Sequence, residues 1–78
     1  MIAHQESKQK LDSLSERERD VLALLAEGMT DREIGERLSI SHRTVMKHVS
    51  NLLQKLDRGT RSEAAVFLRR MISRRSRE

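Results

Sequence analysis

The most constraining feature of this 78-residue sequence is the stretch 30–56, TDREIGERLSISHRTVMKHVSNLLQKL, which reads as two capped helices joined by a short turn. Thr30 with Glu33 has the spacing of a capping box before the first helix, and Ser41 is a candidate N-cap for the second. The turn Ser39-Ile40-Ser41 is three residues long, which suits a sharp crossing of two short helices. The stretch therefore predicts a helix-turn-helix unit.

Two further capping boxes place the other helices. Ser15 with Glu18 and Thr60 with Glu63 repeat the same spacing, and each pair satisfies backbone N–H groups that the start of a helix leaves unpaired. Gly28 marks the end of the first helix, because glycine adopts the left-handed conformation without penalty. The sequence predicts helices at about residues 16–27, 31–38, 42–56 and 61–72.

The predicted fold is all-α, a compact four-helix domain over residues 11–72. Residues 1–10 and 73–78 show no apolar periodicity, so we expect a flexible N-terminal segment and a basic flexible tail. Gly35 lies inside the second helix and indicates that a neighbouring element approaches closely. Val66 and Phe67 of the fourth helix lie off its inward stripe and are surplus to a single core contact. That stripe consists of Ala64, Ala65, Leu68, Met71 and Ile72.

The third predicted helix has two chemically distinct faces. Its apolar residues fill an arc of about 100°; they are Val45, Val49, Leu52, Leu53 and Leu56. The opposite side carries Arg43, Lys47, Ser50, Asn51 and Gln54, with Met46 at the border. Residues 40–56 contain three Lys/Arg and no acid, a condition that favours the approach of phosphate groups.

Charge and composition narrow the classes of function. Residues 1–38 carry six Lys/Arg and nine Asp/Glu, whereas residues 39–78 carry ten and three, so the second half suits a polyanionic partner. The chain has no cysteine and no apolar run near the roughly 18 residues that span a membrane. We expect a soluble, cytoplasmic protein with no membrane partner, no cofactor and no small-molecule ligand.

The sequence also argues against a catalytic or metal site. No Ser/His/Asp grouping, glycine-rich phosphate loop or pair of pocket carboxylates can be assembled, so no enzyme is predicted. His42 and His48 point about 120° apart on a helix, which disfavours a shared metal. Arginines near the C terminus either bind phosphate, act as an RNA-binding arm or form a frayed solubilising tail. They are Arg69, Arg70, Arg74, Arg75 and Arg77.

The exposed face of the third helix has side chains that can read bases. Arg or Lys donates to guanine, Asn or Gln pairs with adenine, and Met contacts the thymine methyl group. Helix N-termini bind phosphates through free N–H groups. Arg61 either contacts a phosphate or braces Asp57 or Glu63. The predicted DNA-contacting residues are Thr30, Ser41, Arg43, Thr44, Met46, Lys47, Ser50, Asn51, Gln54, Lys55 and Arg61.

The chain resembles the LuxR-type helix-turn-helix domain of bacterial transcription regulators, also called the NarL/FixJ or GerE type. The resemblance covers residues 14 to about 70 and rests on LSERE at 14–18, Glu27-Gly28, Glu33-Ile34, Ser41, Thr44-Val45, His48, Lys55-Leu56, Arg61 and Glu63-Ala64. It implies that the third helix enters the major groove of double-stranded DNA. It also implies that the fourth helix pairs two domains on a two-fold site, with half-sites about 10 bp apart. The implied dimer residues are Val66, Phe67 and Arg70.

The sequence departs from the family pattern at three places. Met46 stands where the family usually has lysine, Gly35 replaces a usual alanine, and Asp57-Arg58-Gly59 replaces a typical Gly-Val-x. The family regulates transcription by recruiting or blocking RNA polymerase, and its members commonly carry a receiver or ligand-binding domain upstream. The sequence leaves open whether this chain is a fragment of such a regulator. The alternative function is a helical protein-interaction module that has lost DNA binding, which the basic face of the third helix disfavours.

Overall fold

The computed structural model describes residues 2–77, and it describes side chains over residues 7–73. It contains five helices in this range: α1 (Ile2–Asp12), α2 (Glu16–Ala26), α3 (Asp31–Leu38), α4 (His42–Leu56) and α5 (Arg61–Arg77). The all-α prediction is confirmed, and the four predicted helices correspond to α2, α3, α4 and α5.

Helix α1 corrects the prediction of a four-helix domain. Its sequence contains no glycine or proline and is rich in residues that favour helix, but it lacks a capping signal and a clear apolar stripe. Leu11 packs against the core and Leu14 is buried, while Lys10 Nζ lies 3.9 Å from Asp57 Oδ2. Tertiary contacts of this kind stabilise a helix that local sequence signals do not reveal.

The last helix also differs from its predicted bounds, because α5 continues to Arg77 instead of ending near residue 72. The predicted flexibility of the two terminal segments, and with it the division into 1–10, 11–72 and 73–78, stays a prediction. The side chains of His4, Arg74, Arg75 and Arg77 lie outside the described residues.

Helix α4 is the central element of the fold, since it packs against all four other helices. Its predicted apolar face is confirmed: Val45, Leu52 and Leu56 are fully buried and Val49 nearly so. Helix α2 contributes its own predicted apolar residues to the same core, namely Val21, Leu22, Leu24 and Leu25. Because one side of α4 is buried in the core, the opposite face of this helix is presented to solvent in a fixed orientation.

Helix α5 contains the two errors in the predicted core. Phe67 is 6% exposed and belongs to the core, whereas Ile72 is 53% exposed. Phe67 is covered because Arg58, from the loop after α4, places its guanidinium 4.9 Å from the ring centroid. Val66 is 41% exposed, as expected. The Phe67 ring, which was expected to lie off the inward stripe of the helix, therefore fills the space between α5 and this loop.

The capping predictions are all confirmed. The side chains of Ser15, Thr30 and Thr60 each accept a hydrogen bond from the backbone N–H three residues later, at 3.1 to 3.2 Å. In each case the glutamate at that position accepts from the N–H of the cap, at 2.8 to 3.0 Å. Ser41 caps α4 without a glutamate. The helix starts are thus satisfied by local side chains.

The turn of the helix-turn-helix is tight, and Gly35 makes it possible. Ser39 adopts a left-handed conformation with φ 59°, and the N–H groups of Ser39 and Ile40 both donate to the Gly35 oxygen. A Cβ on Gly35 would lie 2.8 Å from the Ile40 carbonyl oxygen and 3.6 Å from Val45 Cγ2. The predicted close approach at this glycine is confirmed, and it allows α3 to sit against the start of α4.

Candidate nucleic-acid interface

The outer face of α4 is exposed along the residues that the sequence analysis assigned to base reading. At 100° per residue these side chains span an arc of about 140°, on the side away from the buried face. Met46 is 51% exposed, which is unusual for a large apolar side chain and leaves its methyl group free for contact. The exposed residues are Arg43, Met46, Lys47, Ser50 and Gln54, and Asn51 is half-buried beside them.

The N-terminus of α4 differs electrostatically from that of α3. Helix α3 carries Asp31 and Glu33 in its first turn, whereas the first turn of α4 contains no acid. Ser41 Oγ accepts from the Thr44 N–H at 3.1 Å, and the two hydroxyls lie 2.8 Å apart. An added phosphate would meet two acids of the same first turn at Thr30 and none of the same turn at Ser41, so the start of α4 is the more favourable of the two positions for an anion.

Lys55, at the other end of α4, has a partner inside the fold. Its Nζ donates to Glu18 Oε1 at 2.8 Å, and the Glu18 side chain is 6% exposed. Burial raises the pKa of Glu18, but the hydrogen bonds from Lys55 and the Ser15 N–H outweigh burial, and the pKa is lowered. The ion pair joins the last turn of α4 to the start of α2. Sequence reasoning explained Glu18 by capping alone and missed this second contact.

The acid stability of the domain is expected to depend on this ion pair. A carboxylate with a lowered pKa stabilises the fold fully above its unfolded pKa, near the ordinary 4.5, and the contribution is lost as pH falls through the folded value. Glu18→Gln keeps the capping-box geometry but removes the charge, so it should cost about 1–2 kcal/mol at pH 7. Urea unfolding at pH 7, 5, 4 and 3 should show this cost shrinking towards acid. A pH-independent difference would contradict the assignment.

Arg61 also has a partner that sequence reasoning did not identify. Its Nη1 and Nη2 donate to the Asp31 oxygens at 2.7 and 2.8 Å, so the expected partners Asp57 and Glu63 were wrong. The hydrogen bonds that Arg61 donates to Asp31 raise the pKa of Arg61, against the effect of burial. No local signal pointed to Asp31, because an acid in a first helical turn is fully explained by the helix dipole.

The surface of α5 carries two of the three predicted dimer residues. Val66 and Arg70 are exposed, while Phe67 lies beneath them. They border a groove of ≈ 470 Å³ between α5 and α1, which is lined by Ser7, Arg58, Ser62, Glu63, Val66, Phe67, Arg70 and Met71. The neighbouring Arg69 is directed elsewhere, since its guanidinium donates to the Ala26 oxygen at 2.6 and 3.0 Å. Arg69 therefore supplies hydrogen bonds to a backbone carbonyl group at the C-terminal end of α2.

Residues 2–77, which the structure describes, also bear on two other kinds of site. No helix in this range is long and apolar enough to cross a membrane. Within the same residues, no group of three or more His, Cys, Asp or Glu side chains lies close enough to hold a metal ion.

Comparison with known proteins identifies the family. The model of a family described as bacterial regulatory proteins, luxR family, matches residues 12–68. The chain is 49% identical over 59 residues to the transcriptional regulatory protein LiaR of Bacillus subtilis, an alignment that covers 76% of this chain and 28% of LiaR. It is 42% identical over 62 residues to the DNA-binding transcriptional activator DevR/DosR of Mycobacterium tuberculosis, covering 80% of this chain and 29% of that protein.

A shorter relative matches over most of its own length. The chain is 48% identical over 58 residues to the spore germination protein GerE of Bacillus subtilis, which covers 74% of this chain and 78% of GerE. The chain spans less than a third of LiaR and of DevR/DosR. It belongs to the LuxR family of bacterial regulatory proteins.

Proposed function

We propose that this domain binds double-stranded DNA in a sequence-specific manner by inserting α4 into the major groove. The observation that carries the proposal is the outer face of α4, which is exposed, basic and free of acids over His42–Leu56. The core holds the opposite face of the helix, so these side chains are presented on a rigid element. A helix of this diameter fits the major groove of B-DNA.

The exposed side chains divide into base-reading and phosphate-binding groups. Arg43 and Lys47 have the chemistry to donate to guanine, Gln54 and Asn51 to pair with adenine, and the Met46 methyl to contact thymine; Ser50 can serve as donor or acceptor. The free N–H groups beside Ser41 and Thr44 suit a phosphate. Thr30, Lys55 and Arg61 already have partners in the fold, so we assign them smaller contributions to DNA affinity.

We further propose that two copies pair through α5 on a two-fold DNA site. Val66 is flanked by Glu63 three residues before and Arg70 four residues after, so in an antiparallel pair each carboxylate would face the arginine of the other copy. A two-fold interface requires such a self-complementary surface. Phe67 is buried, so we assign the contact itself to Val66 and Arg70 and a supporting role to the Phe67 ring.

The biological role proposed from the family is regulation of bacterial transcription in the cytoplasm, by recruiting RNA polymerase or blocking it. The relatives LiaR and DevR/DosR are more than three times as long as the matched region. Any activating signal sensed by additional domains lies outside the residues of this chain. We propose that the chain itself catalyses no reaction.

The test is DNA binding by the chain as a function of salt. Fluorescently labelled duplexes selected from a random pool should bind, and the logarithm of the affinity should fall linearly with the logarithm of salt concentration. Each neutralised phosphate contributes about −0.9 to this slope, so we expect a slope of about −3 or steeper for several contacts. Absence of binding, or binding independent of salt, would overturn the proposal and favour a protein-interaction module.

A further inference from the structure

The first residues of three helices lie around one carboxylate, that of Asp31. Asp31, His42 and Arg61 are the first residues of α3, α4 and α5. Both oxygens of Asp31 accept hydrogen bonds from Arg61, at 2.7 and 2.8 Å, and His42 Nε2 lies 3.9 Å from Asp31 Oδ2. The Asp31 side chain is 11% exposed, against 45% for Arg61 and 63% for His42. These three residues are termed the helix-start junction.

The charge arrangement at the helix-start junction is explained by this contact and not by local helix preference. A cation in the first turn of a helix is unfavourable, because the free N–H groups there carry partial positive charge. Arg61 occupies that position in α5, and α4 begins with His42 and no acid. Asp31 thus places one carboxylate beside the first residues of both α4 and α5, where it accepts two hydrogen bonds from Arg61 and lies 3.9 Å from His42 Nε2.

The contact between Asp31 and Arg61 also links α3 to α5, two helices that pack mainly against α2 and α4 and little against each other. Helix α3 packs on α4 and α2, while α5 packs on α2 and α4. A bidentate pairing of guanidinium and carboxylate restricts direction as well as distance, because two parallel hydrogen bonds must form together. The pair therefore constrains the angle between α5 and the helix-turn-helix formed by α3 and α4.

We propose that Arg61 is a positioning residue that, through Asp31, sets the angle between α5 and the helix-turn-helix and thereby selects the spacing between two DNA half-sites. This rests on the proposed function, in which α4 reads the groove and α5 pairs two copies. In such a pair the separation of the two α4 helices depends on how each projects from its α5. This positioning role takes the place of the phosphate contact expected of Arg61, because Nη1 and Nη2 each already donate a hydrogen bond to Asp31 within the fold.

The test compares Asp31→Asn, Arg61→Gln and the double variant on duplexes that carry two inverted half-sites. The spacing between half-sites is changed in single-base-pair steps, and a duplex with one half-site serves as reference. We expect the unmodified chain to prefer its best spacing over one altered by two base pairs by about tenfold or more. Each single variant should reduce this preference to about threefold or less, and the double variant should add little, as expected for one shared interaction. Affinity for one half-site should change by less than about twofold.

Arg17→Gln is the matched control. It removes one positive charge from another exposed ion pair, in which Arg17 Nη1 lies 3.8 Å from Asp20 Oδ2, and it should leave the spacing preference intact. Arg61→Lys retains the charge but not the fork, so it should also lose the preference. This variant provides the comparison if the others fail to fold in a circular dichroism melt.

Three results would overturn the inference, and each is distinguishable from the others. If Arg61 binds phosphate, Arg61→Gln should weaken all sites equally and reduce the salt slope by about 1, while Asp31→Asn should leave binding unchanged or stronger because it frees the arginine. If the unmodified chain fails to bind DNA in a salt-dependent manner, the proposed function falls together with this inference. Retained spacing preference in Arg61→Lys and Arg61→Gln would overturn the inference alone.

Discussion

Replacing Phe67 with alanine is expected to destabilise the domain by about 3–4 kcal/mol, because it removes a buried ring and leaves a cavity. The ring is 6% exposed, and it also holds the Arg58 guanidinium at 4.9 Å. A chain of this length has a total stability of only about 4–12 kcal/mol, so the substitution should unfold a measurable fraction of molecules. Urea unfolding followed by circular dichroism suits this chain, which has no tryptophan or tyrosine.

Val66 provides the control, since it is the neighbouring residue on the same helix. Its side chain is 41% exposed, so Val66→Ala should change stability by no more than about 0.5 kcal/mol. Val66→Asp should instead weaken pairing on a two-fold site while the fold persists. If Phe67→Ala proves as mild as Val66→Ala but abolishes pairing, the ring belongs to an interface between copies and its place in the core is wrong.

The starts of α2, α3, α4 and α5 could be predicted because their signals are local. Each cap acts on a backbone group three residues away, and the apolar period of α4 depends only on the geometry of one helix. Gly35 could be interpreted for the same reason. A glycine inside a helix lowers the stability of the helix, and the close approach of a neighbouring element explains why glycine is present there. The fold class therefore followed from short-range patterns.

Contacts between distant parts of the chain could not be predicted from these patterns. Glu18 and Asp31 each had a sufficient local explanation, so nothing in the sequence pointed to Lys55 or Arg61 as their partners. Phe67 lies about 100° from Val66 on α5, and only the tertiary packing, which includes Arg58, shows that this side of the helix is covered. Helix α1 was missed because its stability depends on packing against α4.

The exposed face of α4, which we propose reads bases, was predictable in position but not in detail. The outward direction of Arg43, Lys47 and Ser50 follows from the helical period, and the structure agrees. Which predicted cations remain available depends on tertiary partners: Lys55 and Arg61 have them. Among the candidates, Arg43 and Lys47 thus become the strongest for reading bases.

Lys47→Ala and Arg43→Ala are expected to reduce discrimination between the preferred DNA site and a single-base variant of it. A base contact by such a side chain provides about 1–3 kcal/mol of discrimination, or about 5- to 150-fold in relative affinity. Both side chains are exposed on the outer face of α4, so their removal should leave the unfolding free energy within about 0.5 kcal/mol of the original. Competition binding against a panel of single-base variants measures the effect position by position.

The pattern across that panel distinguishes base reading from simple charge attraction. Loss of a base contact should relax preference at one or two positions, whereas loss of a charge that only attracts phosphate should weaken all sites alike. Arg17→Ala, on the exposed side of α2, supplies the charge control. Met46→Lys, which installs the residue usual in the family, should strengthen binding and shift preference at the position nearest Met46, because an ammonium group donates where the thioether cannot. If Lys47→Ala, Arg43→Ala and Arg17→Ala give the same uniform loss, α4 does not read bases through these side chains.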